Sequence, residues 1–62
     1  MSTPAEDALK RAEELLERLE QTRARLEETA DPDQAIDVLT ELAEIAKQVE
    51  AEIEQARREA DA

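Results

Sequence analysis

The segment ETADPDQ, residues 28–34, most constrains the fold of this chain because it is the only internal break in a continuous helical pattern. Pro32 disfavours helical geometry at Asp31, the residue before it. Pro32 also suits the first position of a new helix, where its missing N–H costs no hydrogen bond. Asp31 is then the N-cap residue, and Gln34 completes a capping box. One helix should end here and a second should begin, so the chain should fold back on itself.

The two helices have readable limits. Thr3, Pro4 and Glu6 form a helix start, with an N-cap, a first-turn proline and a capping-box partner. We therefore expect helix 1 over about residues 4–29, a turn at 29–31 and helix 2 over about residues 32–59, with a fraying end. The 62 residues form one domain, an all-α antiparallel two-helix hairpin.

Apolar residues recur in both halves at alternating spacings of four and three, the pattern of a helix that buries one face. A short connection makes the two helices antiparallel neighbours, so the two stripes should meet. The predicted hairpin core consists of Leu9, Ala12, Leu16, Leu19, Leu26, Leu39, Leu42, Ala46, Val49 and Ile53.

Arg23 interrupts the stripe of helix 1. In one interpretation its side chain leaves the stripe to meet Glu20 and Glu27. In the other it is a polar residue between helices that sets register or selects a partner. The sequence leaves both interpretations open.

Helix 2 carries a wider apolar arc than helix 1 can cover. The residues left over, and hence the predicted partner interface, are Ile36, Val38, Ala43 and Ile45. Either a second copy covers them, which gives a four-helix bundle, or a helix of another protein does. A flank that simply stays in water is the third alternative.

Composition excludes several classes of function. Eighteen Asp and Glu against eight Lys and Arg give a net charge of −10, which disfavours direct binding to nucleic acid or to an anionic membrane. The chain has no His, Cys, Tyr, Trp or Gly, so it lacks activated nucleophiles, thiolate ligands and a glycine-rich phosphate loop. We expect no catalysis by this chain alone, no cofactor and no dedicated metal site. The pairs Glu13/Glu17 and Glu50/Glu54 are better interpreted as a solvated acidic face. No secretory signal pattern is present, so a cytoplasmic location is expected.

The order of features resembles the small subunit of bacterial exodeoxyribonuclease VII, a family of short acidic helical hairpins. Leu26 and Glu27 end helix 1, and the residues that match the family's spaced apolar positions in helix 2 are Ala35, Leu39, Leu42, Val49, Ile53 and Ala56. The resemblance spans about residues 8–58. The chain lacks the family's glycines and aromatic residues. The resemblance implies a non-catalytic subunit that packs on the stalk of a large nuclease subunit, with hydrolysis of single-stranded DNA belonging to the complex.

Three functional hypotheses follow. The first is a non-catalytic interaction hairpin that docks on a helix of another protein. The second is a self-associating structural hairpin with no nuclease connection. The third is an acidic mimic of nucleic acid, which the basic residues interspersed along both helices make less suitable.

Overall fold

The computed structural model describes residues 1–61 and contains two helices, α1 (Pro4–Glu28) and α2 (Pro32–Asp61). They pack against each other along their lengths as a hairpin of 47 × 17 × 10 Å, which confirms the predicted all-α hairpin. Helix α2 continues to Asp61, beyond the expected fraying point near residue 59. Its last two turns are rich in Ala, Arg and Glu, which have high intrinsic helix propensity, and this favours the longer helix.

Helix α1 starts at the expected cap. Thr3 is extended, with φ −81° and ψ 163°, and its side-chain oxygen accepts a hydrogen bond from the Glu6 N–H at 3.1 Å. The Thr3 hydroxyl also donates to the Glu6 carboxylate at 3.3 Å. Pro4 occupies the first turn, where no backbone donor is needed. Interactions within a few residues therefore determine where α1 begins.

The connection consists of residues 29–31. Thr29 is extended, with φ −86° and ψ 117°; its N–H donates to the Leu26 carbonyl at 3.1 Å and its hydroxyl donates to the Arg25 carbonyl at 2.8 Å. The Asp31 carboxylate caps α2 by accepting from the Asp33 N–H at 3.0 Å. These bonds satisfy backbone groups that a helix end leaves unpaired, so three residues suffice to reverse the chain.

The seam is the set of residues that lie buried or half-buried between the helices at spacings of three and four. Its members are Ala8, Ala12, Leu15, Leu19, Thr22 and Leu26 on α1 and Ala35, Val38, Leu42, Ile45, Val49 and Ala56 on α2. Ile45, 1% exposed, is the largest fully buried side chain. Several seam residues are alanines, so the seam buries few large side chains.

The predicted core is correct at some positions and wrong at others. Ala12, Leu19, Leu26, Leu42, Ala46 and Val49 are buried or half-buried, whereas Leu9, Leu16, Leu39 and Ile53 are exposed. Val38 and Ile45, predicted to await a partner, are instead buried in the hairpin. The predicted stripe and the observed seam share some positions, such as Ala12. From each shared position the predicted stripe continues at the fourth residue, as at Leu16, whereas the seam continues at the third, as at Leu15. Since successive residues differ by about 100°, each helix is rolled by about 50° from the expected orientation.

Candidate functional site

One side of the hairpin carries cross-helix ion pairs. The Arg11 Nε donates to Glu52 Oε1 at 3.0 Å, and the Arg25 Nη2 donates to Glu41 Oε2 at 2.5 Å. We call these four residues the ion-pair flank. Arg25 directly precedes the seam residue Leu26, so residues one before a seam position face this side. Sequence reasoning missed this flank, although Arg11, Arg18 and Arg25 recur every seven residues and signal it.

An open groove of about 530 Å³ lies on the same side. Arg11, Arg18, Gln48 and Glu52 contribute to its lining. The Arg11 guanidinium is already engaged by Glu52, with which it shares a hydrogen bond at 3.0 Å. The groove is therefore part of the polar packing between the helices.

The opposite side of the hairpin is apolar. Its large side chains are Leu9, Leu16, Leu39 and Ile53, each between 43% and 51% exposed, and we call this set the apolar flank. Three of these residues directly follow a seam residue, and Ile53 follows Glu52, whose position continues the seam spacing. In an antiparallel pair all four therefore lie on one side. The half-buried Ala46 occupies the corresponding position between Leu39 and Ile53. The flank therefore runs along both helices.

Two of the four predicted interface residues border the apolar flank. Ile36, 61% exposed, lies three residues before Leu39, and the exposed Ala43 lies three before Ala46. Residues three apart are neighbours on a helix surface, so both widen the flank on α2. Val38 and Ile45 do not contribute, because the other helix covers them. Helix α2 therefore has an exposed apolar surface, but only Ile36 and Ala43 of the four predicted residues belong to it.

Glutamates border the apolar flank on α1. They are Glu6, Glu13, Glu20 and Glu27, spaced by seven and all exposed. The Arg11–Glu52 contact sets the level of the two helices: Glu13 lies two residues beyond Arg11, and Glu50 two residues before Glu52. In an antiparallel pair these two carboxylates therefore stand within about one helical turn of each other, one on each side of the flank, since the Arg25–Glu41 contact shifts the count by three residues. By the same counting, Glu20 and Glu27 stand within about one turn of Ala43 and Ile36, and Glu6 stands within about one turn of Arg57.

Arg23 lies in line with Leu9 and Leu16 but turns away toward its own helix. Its guanidinium donates to Glu20, with a closest contact of 2.7 Å, and to Glu27 at 2.5 Å. This confirms the interpretation that Arg23 leaves the stripe to meet these two carboxylates. The hydrogen bond from Arg23 lowers the pKa of Glu20, and the bonds to Glu20 and Glu27 raise the pKa of Arg23. Arg23 therefore stays charged and partly neutralises the acidic border near the turn.

The chemistry available to residues 1–61 is that of a surface. In this part of the chain, no group of three or more carboxylate side chains is placed to hold a metal ion. Neither of its helices combines the length and the hydropathy needed to cross a bilayer. What the arrangement offers is an apolar flank with an acidic border, suited to contact with another helix.

Comparison with protein-family models, curated proteins and solved structures finds no match for this chain.

Proposed function

We propose that this chain is a non-catalytic protein-interaction module whose apolar flank packs against a helix of another protein. The observation that carries the proposal is the alignment of Leu9, Leu16, Leu39 and Ile53 on one side, with ion pairs on the other. Scattered exposed leucines are ordinary in a monomer, but large apolar side chains gathered on one side of both helices mark an interaction surface.

The surface area of the hairpin supports this proposal. A compact monomer of 7.0 kDa has an accessible surface of about 4,000 Å² by the usual scaling, whereas this chain exposes 4747 Å². Its radius of gyration is 14.4 Å, compared with about 10.6 Å for a compact domain of this length. The hairpin therefore exposes about 700 Å² more than a compact monomer of its mass, as expected for two helices with uncovered sides.

The exodeoxyribonuclease VII resemblance supplies one candidate partner, the large nuclease subunit. In that case this chain is an accessory subunit and the chemistry belongs to the complex. The competing proposal is self-association through the same flank into a four-helix bundle. Both proposals use the same leucines, so one experiment must test the surface and another must identify its partner.

The surface is tested with Leu16→Gln/Leu39→Gln and, as a matched control on the outer faces, Glu17→Gln/Lys47→Gln. Affinity for the purified large subunit should fall about tenfold or more with the leucine changes and stay constant with the control. Helicity by circular dichroism should persist in both, because neither leucine lies in the seam. Light scattering over a wide concentration range measures self-association on the same samples. The proposal would be overturned if the leucine variant kept both its affinity for the large subunit and its self-association.

A further inference from the structure

We infer that the occupant of the apolar flank is a basic amphipathic helix of another protein, lying between α1 and α2 as the third helix of a bundle. This inference rests on the proposed function and adds the chemistry of the partner. Helix-in-groove recognition supplies the geometry, since an apolar stripe fits between the Leu9–Leu16 row and the Leu39–Ile53 row. The charge of the border selects which helices fit.

The border carries a carboxylate on both helices near the far end of the apolar flank, and Arg57 follows Glu50 at the end of the α2 border. Glu13 and Glu50 stand within about one turn of each other on opposite sides of the flank, with Glu13 between the positions of Leu9 and Leu16. Arg23 holds Glu20 and Glu27 with hydrogen bonds, so the acidic charge near the turn is partly neutralised. With a net charge of −10 behind it, the Glu13–Glu50 pair attracts a helix with Lys or Arg on both sides of its apolar stripe.

A second copy of this chain fits the flank less well. If α1 packs on α1 of a copy, the row of four glutamates meets glutamates at every level. If α1 packs on α2 of a copy about a two-fold axis along the bundle, Glu13 meets Glu50. Two-fold arrangements about an axis along the bundle therefore place carboxylates opposite carboxylates, and every dimer carries a charge of twice −10.

The flank also specifies how charge is distributed along the partner. Near the turn, Ile36 and Ala43 replace acidic residues on the α2 side. The partner helix should therefore carry basic residues on both sides of its stripe over Glu13 and Glu50. Toward the turn it should carry an apolar residue on the α2 side. This gradient places the more basic end of the partner helix away from the turn.

Three synthetic helical peptides test the inference on the full chain. The first has apolar residues at spacings of three and four flanked by Lys, and the second has the same stripe flanked by Glu. The third has the composition of the first with the apolar spacing scrambled. Binding is measured by calorimetry, and the surface is mapped by the methyl NMR shifts of Leu16 and Leu39.

The expected result is binding of the first peptide with shifts at both leucines, and binding at least tenfold weaker for the other two. Equal binding of the Lys- and Glu-flanked peptides at the flank would overturn the charge requirement but leave the interaction module standing. Equal binding of the scrambled peptide would reduce the effect to non-specific charge attraction and overturn the inference. If no peptide binds and the chain forms a dimer that Leu16→Gln/Leu39→Gln disrupts, the occupant is a second copy. No binding by a strictly monomeric chain would overturn the proposed function as well.

A charge variant locates the attraction. Glu13→Gln/Glu50→Gln should weaken binding of the Lys-flanked peptide about three- to tenfold at low salt, and the difference should shrink at high salt. The matched control is Glu14→Gln/Glu44→Gln, which removes the same charge on the opposite side of the hairpin and should bind like the unaltered chain. Equal weakening by both double variants would show that net charge, and not the acidic border, drives binding.

Discussion

Glu52 faces Arg11 across the hairpin, and the Nε of Arg11 donates to its carboxylate at 3.0 Å over a separation of 41 residues. The Glu52 side chain is only 24% exposed, because its position continues the seam spacing between Val49 and Ala56. A charged residue thus occupies a place where an apolar residue would pack. The ion pair lies on the side of the hairpin opposite the leucine rows.

The first prediction follows from this position. Glu52→Leu should raise the free energy of unfolding by about 1 kcal/mol, because apolar burial replaces a partly exposed ion pair of small net value. Glu54→Leu is the matched control on the outer face, where the Glu54 side chain is 53% exposed and no gain is expected. Urea unfolding monitored by circular dichroism measures both. A loss of stability in Glu52→Leu would show that the ion pair contributes more than packing can replace.

Ile45 is the centre of the seam, and its truncation should be costly. Ile45→Ala should destabilise the hairpin by about 2–4 kcal/mol, because it removes the largest fully buried side chain from a small core. A domain of this size has little stability in reserve, so the variant should be largely unfolded at room temperature. Ile36→Ala makes the same chemical change at a residue that is 61% exposed and should alter stability by less than about 0.5 kcal/mol. Equal melting curves for the two variants would contradict the observed orientation of α2.

Thr22 is the buried polar residue of the seam, at 4% exposure, and its hydroxyl donates to the Arg18 carbonyl at 2.9 Å. Thr22→Val keeps the shape and replaces the hydroxyl with a methyl group, so stability should rise by about 0.5–1 kcal/mol. Thr40 makes the same kind of bond to the Ile36 carbonyl at 3.0 Å on an exposed surface. Thr40→Val should therefore change little. The melting temperature should rise by several degrees in Thr22→Val only. A lower melting temperature in Thr22→Val would show that the hydroxyl of Thr22 stabilises the hairpin.

Glu20 should titrate below the ordinary range of a glutamate, because the hydrogen bond from Arg23 lowers its pKa. The contribution of this pair to stability is present above the pKa of the unfolded chain and is lost as the pH falls through the lower pKa of the folded chain. Arg23 stays protonated throughout, since its own pKa is raised. Carboxyl NMR measures the titration: Arg23→Gln should raise the pKa of Glu20, whereas Arg57→Gln should not. An unchanged Glu20 titration in Arg23→Gln would mean that the pair does not persist in solution.

Local signals were sufficient to predict the hairpin and its connection. Thr3 and Asp31 cap their helices with their own side chains, and Pro32 begins α2, so these features depend on a few neighbouring residues. The capping box at the turn was only partly correct, since the Asp31 carboxylate takes the Asp33 N–H. The partner interface remains a prediction, with Ile36 and Ala43 exposed and Val38 and Ile45 removed from it.

The amino-acid sequence by itself determined two amphipathic helices, the position of the reversal and the side chains that cap them, because these depend on interactions within a few residues. Only the tertiary structure decided which part of each apolar arc is buried. On α1, Leu15 and Leu16 are adjacent and equally apolar, so periodicity permits two seams that differ by a roll of about 50°. The expected seam would bury the charged Arg23. The observed seam buries Thr22, whose hydroxyl bonds within its own helix, and allows Arg11 and Arg25 to reach carboxylates across the hairpin. Avoiding a buried charge while pairing the exposed ones favours the observed roll, and that roll leaves the leucines of the apolar flank for a partner.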